Sequence, residues 1–209
     1  MKKAKEHKTI VDNPETGEET TLLTTIEDVE KIANKKIIRG TIKYDDLIPI
    51  KQRNQPTKYI QTMIPVRFSF LFGSLYFIVH DRDVADATSD RVSKIIMRGI
   101  PDSILKCYIS PENIDRFLAT HAHVLTDTSI GEVTIPRFSA TRFQGSEFDL
   151  TPQYQDFKRH GRTRSARFRL RRYDWSISMN RNACVTFFST VTEEQMEDFM
   201  RKEIIPICN

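Results

Sequence analysis

Apolar and polar positions along this chain change period in a readable order. Residues 9–12 and 18–23 read as two short strands around the turn Asn13-Pro14-Glu15-Thr16-Gly17, where Pro14 presets φ and Gly17 supplies a positive one. An isolated hairpin is marginal in water, so residues 1–24 must dock on the body or form a mobile appendage. Thr24 with Glu27 has the spacing of a capping box and predicts a helix over 26–35. Residues 37–50 read as extended with a break near Asp45-Asp46, and 51–58 as a polar loop. Residues 59–72 and 75–79 are rich in β-branched and aromatic residues and flank the turn signal Gly73-Ser74. Val84, Ala87, Val92, Ile95 and Ile96 then recur at helical spacing, predicting a helix over 83–98 closed by Gly99.

A short strand is predicted over 104–109. After it Ser110, Pro111 and Glu112 mark a helix start, and Ile114, Phe117 and Leu118 give that helix one apolar face. Residues 131–143 read as a strand, and 149–159 as a short helix capped by Asp149. Three strands follow at 164–170, 175–179 and 183–188, the last two joined by Asn180-Arg181-Asn182. The final helix begins at Thr192 with Gln195 completing a capping box, buries Met196, Phe199, Met200 and Ile204, and ends at Pro206.

The expected class is therefore α+β, mainly antiparallel sheet with helices on one face. Residues 25–209 are expected to form a single domain. Within it, strand, tight turn, strand, connector and helix recur at 68–98 and 175–205, each preceded by another extended segment. Two pseudo-repeats, 37–98 and 131–205, with an insertion at 100–125, would account for that order. The arrangement resembles the duplicated saddle of the TATA-binding-protein family, whose repeats run strand, short helical connection, antiparallel strands and long closing helix. Phe148-Asp149-Leu150, the basic strand 164–171, the hairpin 175–188 and the closing helix follow that order best. The likeness is one of architecture, and the family's glycines, strand asparagines and kinking phenylalanines have no counterparts here. It implies a saddle-like sheet and carries over no DNA bending.

Charge changes the picture. The chain has 32 basic and 28 acidic residues, and eight of the basic ones fall between 158 and 172 with no acid among them: Lys158, Arg159, Arg162, Arg164, Arg167, Arg169, Arg171 and Arg172. The rest of the chain is mildly acidic. Strand periodicity sends Arg167, Arg169 and Arg171 to one face and Ala166, Phe168 and Leu170 to the other. Three stacked guanidinium groups cannot line a core, so their face is solvated or meets an anion. Tyr173 and Trp175 share that parity if the strand runs straight, which would add stacking platforms. A solvated edge strand protected by charge, or ion pairing to the acidic remainder, would explain the same stripe.

Little else carries chemistry. Cys107, Cys184 and Cys208 are odd in number and far apart, as free thiols in a reducing compartment would be. His121 and His123 with Asp127 lack further ligands for zinc or manganese. His80-Asp81-Arg82-Asp83 could hold a nuclease carboxylate pair, but an aspartate capping the next helix is the simpler account. No phosphate-cradling glycine loop or nucleophile elbow is present. We therefore expect no enzyme activity, no cofactor and no bound metal. The expected function is nucleic-acid binding, DNA or RNA, through residues 158–172 and their phosphate contacts. The alternatives are an adaptor docking an acidic protein partner and a metal-dependent nuclease using His121 and His123. No apolar run is long enough to span a membrane and the basic N-terminus leads into no apolar segment, so a cytoplasmic location is expected.

Overall fold

The computed structural model describes residues 5–51, 53, 55–96 and 103–209. It falls into two compact units, residues 1–105 and 106–209, each with a five-stranded antiparallel sheet and helices. The α+β class is as expected.

Unit 1 is a meander. Strands β1 (Lys5–Asp12), β2 (Glu19–Ile32), β3 (Ile37–Ile50), β4 (Lys58–Leu71) and β5 (Tyr76–Val79) pair in sequence order and precede helix α1 (Ala85–Ile96). The first turn forms as the sequence indicates, with Gly17 at φ 71° and its N–H donating to Asn13 O at 2.8 Å. Its second strand runs on into the sheet, so the hairpin is built into this unit. The helix expected over 26–35 is instead the second half of β2, followed by a 3-10 turn at Ala33–Lys35. Tertiary pairing overrides the local capping signal. Ile26 stands opposite buried Ile42, and Glu27 pairs with Lys43 at 2.6 Å rather than reaching back to Thr24.

The break expected at Asp45-Asp46 is absent. β3 runs unbroken because the Asp45 carboxylate accepts from Leu23 N–H at 3.0 Å and Gln61 Nε2 at 2.9 Å. Ile26, Ile42, Tyr44, Val66 and Phe68 form the core with Val92 of α1. The predicted end of that helix at residues 97–99 lies outside the described residues. Asp81 accepts from the Asp83 N–H at 3.0 Å, a turn leading into the helix.

Unit 2 holds α2 (Pro111–His121), β6 (Ala122–Gly131), β7 (Ala140–Gln144), α3 (Pro152–His160), β8 (Arg162–Leu170), β9 (Ser176–Asn180), β10 (Val185–Phe187) and α4 (Glu193–Phe199). Its strand order is β7-β6-β8-β9-β10. Ser110 caps α2 through the Asn113 N–H at 3.1 Å, and Thr192 and Gln195 make the expected reciprocal box at the start of α4. Helix α3 is capped by Thr151, not Asp149, which lies in a 3-10 turn at Phe148–Leu150. Pro152 fixes that choice, because proline fits the first helical position and Thr151 precedes it. The strand expected over 104–109 reduces to one bridge, Ile109 with Cys208. Residues 131–143 are mostly a turn in which Glu132 and Arg137 take positive φ, so only β7 is extended there.

Both units close with strand, turn, strand and helix. Their strand orders differ, however, because β6 lies between β7 and β8. The common connectivity is thus confined to those closing segments. No helix among the described residues is long and apolar enough to cross a membrane.

Candidate nucleic-acid interface

Strand β8 alternates as its sequence demands. Ala166, Phe168 and Leu170 are at most 2% exposed, while Arg167 and Arg169 are exposed. The buried set joins Ile114 and Phe117 of α2, Ile177 and Met179 of β9, and Phe199 of α4 in one core. Helix α3 covers the same side through Tyr154, packed with Ile130 and Phe148. All three helices of this unit therefore lie behind the sheet, and the arginines face outward.

The register lines up that outward face strand by strand. Gln144, Asp127, Arg167, Ser178 and Thr186 stand opposite one another in turn, one from each strand. A second row is Arg142, Ser129, Ser165 and Asn180, and a third is Val124, Arg169 and Ser176. A concavity of about 380 Å³ opens there, lined by Thr126, Asp127, Gln144, Gly145, Ser146, Arg167 and Ser176. β8 is flanked by β6 and β9, so protection of an exposed sheet edge does not explain its charges.

The eight basic residues have different surroundings. Lys158 donates to Asp115 and Thr163, and Arg162 pairs with Glu112. Glu112 is held below the usual carboxylate range by the hydrogen bond at its own backbone and by the charge of Arg162. Arg169 donates to Asp174 at 2.7 Å. Arg171 lies beyond the strand end and donates to Ala122 O at 2.7 Å, while Arg172 is 4.0 Å from Glu203. Ion pairing within unit 2 thus accounts for four of them.

Arg159, Arg164 and Arg167 have no carboxylate partner among the described residues. Arg167 stacks on Phe188, its guanidinium carbon 3.7 Å from the ring centre, and Phe188 is 49% exposed. The carboxylate directly opposite, Asp127, is held by Arg142, whose Nε lies 3.0 Å from both oxygens. Arg164 is the extra residue of a bulge, since Thr163 opposes Ile130 and Ser165 opposes Ser129. Its side chain crosses Gly131, where a Cβ would lie 1.8 Å from Arg164 Nε, so only glycine leaves that path clear.

Tyr173 and Trp175 are not on this face. The chain turns after Leu170, with Asp174 at φ 55°, and the two rings stack on each other at 4.7 Å and pack against Phe199 in the core. Burial and the hydrogen bond to Glu203 raise the Tyr173 hydroxyl pKa. His121 ends α2, stacked on Phe117 at 4.3 Å, with Nδ1 3.8 Å from Glu203, whereas His123 is exposed on β6. No third ligand group gathers at these two among the described residues.

Phe188, Arg142, Gln144 and Ser178 escaped the sequence reading. Strand parity could have assigned each a side, but only the register shows that they share a face with β8. The class the geometry defines is an α+β protein with a polar, arginine-bearing sheet face. Comparison with protein-family models, curated proteins and solved structures finds no match for the chain.

Proposed function

We propose that unit 2 binds nucleic acid on the outward face of its sheet. Arg164 and Arg167 contact phosphates there, whereas Arg159 sits in the last turn of α3, behind the sheet. The observation that carries this reading is an interior strand presenting two guanidinium groups without carboxylate partners, one stacked on a half-exposed phenylalanine. Guanidinium groups match phosphate oxygens in a two-pronged geometry, and an exposed ring beside them offers a base a stacking surface. Lys158, Arg162, Arg169, Arg171 and Arg172 shape the local field while engaged within the protein.

The test is binding of single-stranded and duplex oligonucleotides as a function of salt. Released counterions give a log–log slope of about −0.7 per contact on single strands and −0.9 on duplex, so two contacts give roughly −1.4 to −1.8. Changing Arg164 and Arg167 together to Gln should abolish most of that slope and leave folding intact. If wild type binds neither form at low salt, or the variant binds as wild type does, the reading fails. A pull-down of an acidic protein that loses the variant would then favour the adaptor role.

A further inference from the structure

Cys107 and Cys208 are 101 residues apart in sequence, yet the fold brings them together at the two ends of unit 2. Ile109 pairs antiparallel with Cys208, and the Asn209 N–H donates to Tyr108 O at 2.8 Å. Ile207 O accepts from Asn113 Nδ2 at 2.9 Å, so the C-terminal segment is tied to the start of α2 as well. The Cys107 side chain adjoins the Cys208 thiol, whose Sγ donates to Ile204 O at 3.4 Å, and each residue is only partly buried. Cys184, the remaining cysteine, follows the turn between β9 and β10.

We infer that Cys107 and Cys208 form a thiol pair that a low-molecular-weight disulfide such as glutathione disulfide converts to a cystine, fastening the first segment of unit 2 to its last. The neighbouring Cys107 thiol, followed by burial, raises the pKa of the Cys208 thiol. In the first step the Cys107 sulfur loses its proton and displaces one glutathione thiolate, which takes up a proton, leaving a mixed disulfide. In the second, the Cys208 sulfur gives up its proton, attacks the Cys107 sulfur and expels the other glutathione as a thiol. Two protein thiols are oxidised and one glutathione disulfide is reduced to two thiols. The bridge of Ile109 with Cys208 keeps the resolving thiol beside the attacked sulfur, so the second step outruns addition of another glutathione at Cys208. The closed loop spans nearly the whole unit, and long loops lose the most unfolded-state freedom when cross-linked.

The experiment treats the full chain with glutathione disulfide, alkylates remaining thiols and maps the peptides by mass spectrometry. Wild type and Cys184→Ser should each yield a peptide joining Cys107 to Cys208, two hydrogens lighter than the reduced pair. Cys107→Ser and Cys208→Ser should yield no intramolecular cystine. The oxidised wild type should unfold about 5 °C or more above the reduced form, a difference that dithiothreitol reverses. Wild type that carries only glutathione adducts, or a cystine involving Cys184, would overturn the proposal. This readout is independent of nucleic-acid binding.

Discussion

Lys43 on β3 and Arg167 on β8 occupy similar places, each on the outward side of an interior strand in a five-stranded antiparallel sheet. Lys43 is neutralised by a neighbour on the adjoining strand, Glu27 at 2.6 Å, and that contact raises the lysine pKa and lowers that of the glutamate. Arg167 also faces a carboxylate on the adjoining strand, but Arg142 has taken it. The difference shows that a cation on a sheet face becomes available through competition for its nearest carboxylate. Local charge density alone does not decide it. In unit 1 Glu27 answers Lys43 directly, whereas in unit 2 Arg142 takes Asp127 and leaves Arg167 over.

The largest effect expected separates the two sides of β8. Phe168→Ala empties a fully buried site beside Phe117 and should cost about 3–5 kcal/mol of unit 2 stability, measured by denaturant unfolding. Arg167→Gln, one residue away, gives up a stacking contact worth at most about 1 kcal/mol at an exposed site. Comparable losses from the two would show that the outward face is not a separate surface.

Competition for Asp127 makes a sharper test. Arg142→Gln frees that carboxylate for Arg167, so removing one cation should silence a second that was not mutated. The salt slope for nucleic-acid binding should shrink by about 1, as it does for Arg167→Gln. Lys43→Gln in unit 1 should leave it unchanged. If Arg142→Gln binds as wild type does, Asp127 is not what decides the availability of Arg167.

A further effect concerns pH. Burial beside Phe143 and Phe148 pushes the Tyr154 hydroxyl up to about 12. The folded state therefore holds this proton more tightly than the unfolded chain, whose tyrosine titrates near 10. The corresponding stability is full below pH 10 and is lost as pH rises toward 12. Tyr154→Phe should flatten unit 2 unfolding across that window, and an unaltered slope there would contradict the assignment.

Helices were legible wherever a cap and an apolar face agreed, as at Ser110 with Ile114 and Phe117 and at Thr192 with Gln195. The same capping signal misled at Thr24, where Ile26 gains more from burial against Ile42 than a solvent-facing helix could return. The two sides of β8 were legible too, because side-chain parity is a local property of an extended chain. Its end was not, since the turn that sends Tyr173 and Trp175 into the core is set by packing against Phe199.

By itself, then, the sequence determined the α+β class, the caps at Ser110 and Thr192, the alternation of β8 and the density of charge between 158 and 172. Strand order belonged to the tertiary structure. Insertion of β6 between β7 and β8 brings Asp127 opposite Arg167, and no local pattern encodes a pairing between segments some forty residues apart. Which arginines are neutralised, and which cysteines meet, follow from such pairings, because electrostatic and thiol chemistry depend on distances in space that sequence separation does not record.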